Sequence, residues 1–101
     1  MTIRANFAPS YGTGVSITTA ATSGSTTIGL GNKSLMLVNT DTTNSVYVRV
    51  SQGSSTATSA DLLIRPNATV LISKPQDANI LSHIASAGTP VLYAIAGEGG
   101  T

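Results

Sequence analysis

The chain has 101 residues, of which 9% are charged, 41% are hydrophobic and none is cysteine, and its net charge is +1. This length supports one domain with one modest core, and the hydrophobic share excludes a charged disordered chain. The near-neutral charge excludes a strong electrostatic footprint for nucleic acid or anionic membrane, and the missing cysteines exclude disulfide scaffolds, thiolate metal sites and cysteine nucleophiles.

Residues 1–14 come first and differ from the rest. Met1 to Asn6 lack the apolar stretch of a signal peptide, so synthesis in a cytoplasm without general export is expected. Phe7, Pro9 and Tyr11 follow, with two glycines and no sustained alternation. The segment reads as an extended arm that packs on its own domain or on a neighbour, and it holds half of the chain's aromatics.

From residue 15 the hydrophobic period is two. Val15 and Ile17, Val46, Val48 and Val50, Ile80 and Ile84, and Val91, Tyr93 and Ile95 alternate with their neighbours, as on strands with one face on a core. Strands are predicted near 15–19, 26–30, 35–39, 45–51, 61–65, 69–73, 79–85 and 90–96, with Gly, Asn, Asp, Ser and Pro between them. Residues 38–46 read as a hairpin and 64–70 as a tighter one around Pro66. Residues 52–60 read as a polar mobile loop and 97–101 as a flexible tail. The fold expected is all-β: an antiparallel β-sandwich or jelly-roll-like domain over 15–96, with about eight short strands and the arm 1–14 in front. The predicted core takes Val15, Ile17, Ile28, Leu30, Leu35, Leu37, Val46, Val48, Val50, Ile64, Val70 and Ile72. The last two strands add Ile80, Ile84, Val91, Tyr93 and Ile95.

No catalytic constellation emerges, and neither a metal nor another cofactor is expected. His83 is the one histidine, so several imidazoles could meet only on a three-fold axis of a trimer. A Ser-His-Asp triad would need Ser82 and Asp77 to converge on His83, yet neighbours on a strand point to opposite faces. The acids Asp41, Asp61, Asp77 and Glu98 lie in turns, at strand starts and in the tail, where carboxylates close turns through the backbone. Residues 29–34, Gly-Leu-Gly-Asn-Lys-Ser, lack the Gly-Lys-Ser/Thr of a phosphate loop and fall between strands. The basic residues are scattered. Tyr47, on the face opposite Val46 and Val48, is the single aromatic placed to contact a glycan or a partner. What remains is a nearly neutral Ser/Thr-rich β domain suited to packing against other protein.

The runs 34–40 (Ser-Leu-Met-Leu-Val-Asn-Thr) and 45–50 (Ser-Val-Tyr-Val-Arg-Val) resemble small virion proteins of tailed bacteriophages. So do the proline-turn segment 64–72, the closing run 83–94 and Gly97-Glu98-Gly99. The resemblance spans roughly residues 34 to 99 and consists of strand and turn pattern. It implies a non-enzymatic structural protein of the virion, made in the host cytoplasm. The favoured role is a capsid decoration, or cement, protein on the outer head surface that braces major capsid subunits and forms a homotrimer. Phe7, Pro9 and Tyr11 would then be partner-binding anchors. A neck, tail or head-fibre-base component is the alternative virion position. A host-glycan-binding module using Tyr47 and the loop 52–60 is the other.

Overall fold

A computed structural model describes residues 7–12, 14–28, 32–53, 55–75 and 77–99. The strands are β1 (Ala8–Pro9), β2 (Val15–Thr18), β3 (Gly24–Thr27), β4 (Ser34–Asn39), β5 (Val46–Ser51), β6 (Leu62–Ile64), β7 (Thr69–Ser73), β8 (Ile80–Ala85) and β9 (Val91–Glu98). Seven predicted strands form near their expected positions; the one expected near 26–30 appears earlier, as β3, with residues 29 and 30 outside the described residues, and β1 adds a ninth inside the arm. β9 runs through Gly97 and Glu98, two residues into the segment expected to be a tail.

Every pairing is antiparallel. Sheet A runs β2-β9-β4-β7, with β1 sharing the β9 edge, and sheet B runs β3-β8-β5-β6. This strand order is that of a jelly roll: an all-β sandwich of two sheets, with β5 and β6 paired in one of them, the chain otherwise crossing between sheets from β2 on, and the first strands paired with the last.

That topology corrects both hairpin expectations. β4 pairs with β7 and β9, whereas β5 pairs with β6 and β8. The segments 40–45 and 65–68 are therefore arches that carry the chain from one sheet to the other. Turn chemistry reads the same in both cases, because it reports a reversal and not which strand lies alongside. At the second arch Ala68 N donates to Arg65 O at 3.2 Å and Asn67 has φ 58°. Pro in second place and a left-handed Asn in third define a type II turn.

Asn39 ties the two arches together. Its side chain is fully buried; Nδ2 donates to Asn44 O at 2.9 Å and to Ile64 O at 3.2 Å, and Oδ1 accepts from Asp41 N at 3.1 Å. Asn67 N also donates to Asp41 O at 2.9 Å. A buried amide with these bonds made stabilises by their sum; left unpaired, its partners would carry the full cost of desolvation.

The core lies between the sheets. Leu35 and Leu37 of β4 face Leu81, Val46, Val48 and Ile64 of sheet B within one cluster, with Ile17, Ile28 and Leu92. Beside each leucine on β9 stands an alanine: Leu35 pairs with Ala96 and Leu37 with Ala94. Large beside small lets the layers interdigitate.

The predicted core holds for Ile17, Ile28, Leu35, Leu37, Val46, Val48 and Ile64, with Val15, Val50, Val70 and Ile72 packed at its margin. Leu30 lies outside the described residues. The last two strands take the opposite phase. Leu81, His83 and Ala85 point inward on β8, and Leu92, Ala94 and Ala96 on β9, so Ile80, Ile84, Val91 and Tyr93 lie on the outer side; Ile95 shares that side of β9 but is buried, as predicted. Both alternating sets are apolar on β9, so hydrophobicity does not choose between them. Volume does, because the leucines of β4 already fill the space beside it.

Asn39→Ala is expected to lower unfolding stability by about 2–4 kcal/mol, from three lost bonds and stranded partners. Urea denaturation with unchanged m would measure it. A loss under about 1 kcal/mol would show that the arches find other partners. Ala94→Leu is expected to cost about 1–3 kcal/mol by overpacking, while Val91→Thr on the exposed face stays within about 0.5 kcal/mol. The reverse order would restore the phase expected from sequence.

Candidate functional site

The outer face of sheet B carries a cleft. Tyr47 of β5 stands in register with Ile84 of β8 and Leu63 of β6, giving a cross-strand row of large side chains. The loop after β5 rises beside this row. Together Tyr47, Ile84, Ala85 and Ser86 with Ala57, Thr58 and Ser59 line about 430 Å³. The cleft therefore brings together Tyr47 and the 52–60 loop, as the sequence suggests, but over a floor including Ile84. Ile84 and Ser86 escape sequence reading because only the β5–β8 register puts them there.

The loop is held at several points. Ser55 Oγ and Ser82 Oγ lie 2.8 Å apart, Ser82 Oγ donates to Ser55 O at 2.9 Å, and Ala57 N donates to Ser23 Oγ at 3.2 Å. Thr58 N donates to Asp61 Oδ2 at 2.8 Å, and Asp61 N returns to Thr58 O at 3.1 Å. Ala57 is buried and so is Ser82, beneath the loop. Residues 55–61 thus form a pinned wall in place of the expected mobile loop.

Charge is neutralised beside the cleft. Arg49 pairs with Asp61 at 2.9 Å. The backbone N–H of Thr58, with the Arg49 guanidinium, holds the Asp61 carboxyl below its usual range. Asp41 is held down likewise, first by the N–H of Asn44. Both acids close turns, as expected of loop aspartates.

The arm occupies the other sheet. β1 pairs with the end of β9, Ala8 with Glu98 and Pro9 with Gly97, and Ser10 N donates to Ala96 O at 2.8 Å. Phe7, half-buried, lays its ring against Gly97; a Cβ there would meet the ring at 2.7 Å and also Ala8 O. Pro9, half-buried, lacks an N–H and sits on the sheet edge, where it costs no ladder bond. Tyr11 is 87% exposed. Of the three arm residues, Phe7 and Pro9 pack on their own domain and Tyr11 projects from it. Next to the arm, the outer side of sheet A carries half-buried Met36, Val38, Leu71 and Tyr93 and exposed Val91, and no charged residue lies on its paired positions.

The remaining candidates separate. Ser82 and His83 point to opposite faces of β8, and Asp77 is exposed in the loop before it. Among the described residues no group of three His, Cys, Asp or Glu could hold a metal. Residues 29–31 of the loop 29–34 lie outside the described residues.

His83 is buried in the core face of sheet B. Gly24 opposite makes room for the imidazole, since a Cβ there would sit 3.0 Å from Cε1. Nε2 lies 3.2 Å from Thr26 Oγ1, and Nδ1 has no hydrogen-bond partner among the described residues. Burial pushes its pKa below 6.5. Lys74 is also buried, its ammonium donating to Ala78 O at 3.1 Å and Pro75 O at 3.4 Å. Burial pushes its pKa down, against the opposing pull of Glu98 and Asp77.

The architecture and cleft define a β-sandwich of jelly-roll order with two distinct outer faces. No family model matches the chain, and comparison with curated proteins and with solved structures finds no match.

Burial of His83 is expected to make stability fall on mild acidification. With the folded pKa depressed, the unfolded chain binds the extra proton, so stability is whole above about pH 6.5 and falls below it by at most about 1.4 kcal/mol per pH unit. His83→Leu is expected to flatten that slope between pH 6.5 and 5 in urea titrations. An unchanged slope would assign it to another group.

Proposed function

We propose that the protein is a non-enzymatic structural protein of a phage virion, a decoration protein that binds the outer head surface and braces major capsid subunits. The observation that carries the reading is the uncharged outer face of sheet A, with the exposed Tyr11 beside it. A face without charge at its paired positions, on a nearly neutral domain, suits a contact made by area and shape. Aromatic side chains are the usual anchors of such contacts. The pattern resemblance over residues 34–99 supports the same reading. Jelly rolls serve in viral capsids and in lectins, which is support by analogy of fold.

In this reading the sandwich is a rigid body and sheet A is its contact face. Phe7 and Pro9 hold the arm against β9, and Tyr11 reaches the partner. A trimer around a local symmetry axis of the head would present three such faces to neighbouring capsid subunits.

Mass photometry and electron microscopy of the protein, alone and with undecorated heads of the parent phage, test this. A monomer or trimer that adds ordered density at head symmetry axes is expected. Tyr11→Ala and Leu71→Asp should each weaken head binding about tenfold or more with the melting temperature within a few degrees of the parent. Rings of six or twelve, density on the tail axis, or full head binding by both variants would overturn the decoration role.

A further inference from the structure

We propose that the cleft on the outer face of sheet B is a binding site for a neutral saccharide. This goes beyond the virion role and does not depend on where the protein resides.

The chemistry of the lining sets the ligand class. Its floor is apolar: the Tyr47 ring beside Ile84. Its rim is hydroxyl: Thr58, Ser59 and Ser86. Two of these hydroxyls are already oriented. Ser86 Oγ accepts from Ser45 N at 3.0 Å, and Thr58 Oγ1 accepts from Ala60 N at 3.2 Å. Each hydroxyl keeps its own proton to donate. The ligand must therefore offer acceptor oxygens around an apolar face. A sugar ring does this, with its C–H face on the aromatic ring and its hydroxyl and ring oxygens at the rim. A hydrocarbon side chain would leave the rim unpaired, at the cost of buried donors.

Among the described residues no charged side chain lines the cleft. Arg49, the cation next along β5 on the same face, is held by Asp61 at 2.9 Å. An acidic sugar would therefore lose its hydration without a counter-charge. The volume, about 430 Å³, falls within the range of small-ligand sites, roughly 300–1,000 Å³. The wall is preformed, because the bonds to Ser23, Ser82 and Asp61 fix residues 55–61 before any ligand arrives. A fixed wall reduces the ordering entropy lost on binding.

Two other buried polar groups are accounted for within the fold: His83 faces the core and the Lys74 ammonium is directed to backbone carbonyls.

The test uses the full chain on an array of neutral and acidic mono- to tetrasaccharides and of short peptides, with the best neutral sugar then titrated by calorimetry. Binding to neutral sugars is expected. Tyr47→Ala should weaken it about tenfold or more and Tyr47→Phe by no more than about threefold, since the ring face persists. Ser59→Arg, on the exposed rim, should block the cleft with a similar loss, and it carries the test should Tyr47→Ala fail to fold. Silence across the sugars, preference for acidic sugars or for peptides, or binding undiminished in a folded Ser59→Arg variant would overturn the proposal. Failure to bind heads would leave each of these outcomes in place, so the two proposals fail separately.

Discussion

The structure depends on the buried amide of Asn39. Two arches cross between the sheets at one end of the sandwich, and both leave backbone groups that neither sheet can pair. One side chain satisfies Asn44 O, Ile64 O and Asp41 N together. It thereby fixes β4 relative to β5 and β6, and so fixes which face of each strand meets the core. The leucines of β4, the valines of β5 and Ile64 come into contact because that end is closed. A hydrophobic residue of the same size would add area but could not hold the two crossings in register.

Much of the fold was legible in the sequence. Strand positions followed from alternation and turn residues, because both are local. The core phase of β5 was legible because Val46, Val48 and Val50 alternate with Tyr47, Arg49 and Ser51, and that of β4 because its two leucines share one side. It failed on β9, where Val91-Leu92-Tyr93-Ala94-Ile95-Ala96 is apolar on both faces, and on β8, where His83 goes inward into space left by Gly24. The arches were taken for hairpins because the residues of a turn do not encode its strand partner. The arm's partition, Phe7 inward and Tyr11 outward, depends on Gly97 ninety residues away in sequence. The cleft shows the same limit. Tyr47 was visible as an outward aromatic, but its floor and wall come from strands and loops that only the register brings near.

The two outer faces of the sandwich are built differently. Sheet B is overlaid by a loop whose hydroxyls hydrogen-bond to the strands, so its outer surface is a recess with an apolar floor and a hydroxyl rim. Sheet A carries short strands of the arm along one edge and leaves broad side chains outward without charge. A domain with few charges has little long-range field to orient it, so contact depends on local shape. The division of labour follows: one face offers area for a protein surface, and the other offers a small recess lined with oriented hydroxyls.

The jelly-roll order also has a consequence in time. β9 is the hydrogen-bonding partner of β1, β2 and β4, yet it follows all of them in sequence. At roughly 5–20 residues per second, the ribosome exposes the earlier strands for several seconds before their partner emerges. Sheet A therefore closes only once β9 has emerged, through contacts of long sequence separation, and such topologies fold slowly. During that interval the chain is protected by its composition. The apolar runs of the waiting strands are short, at most the four residues Leu35 to Val38, and polar or charged residues bound them, so they offer little length on which neighbouring nascent chains could aggregate.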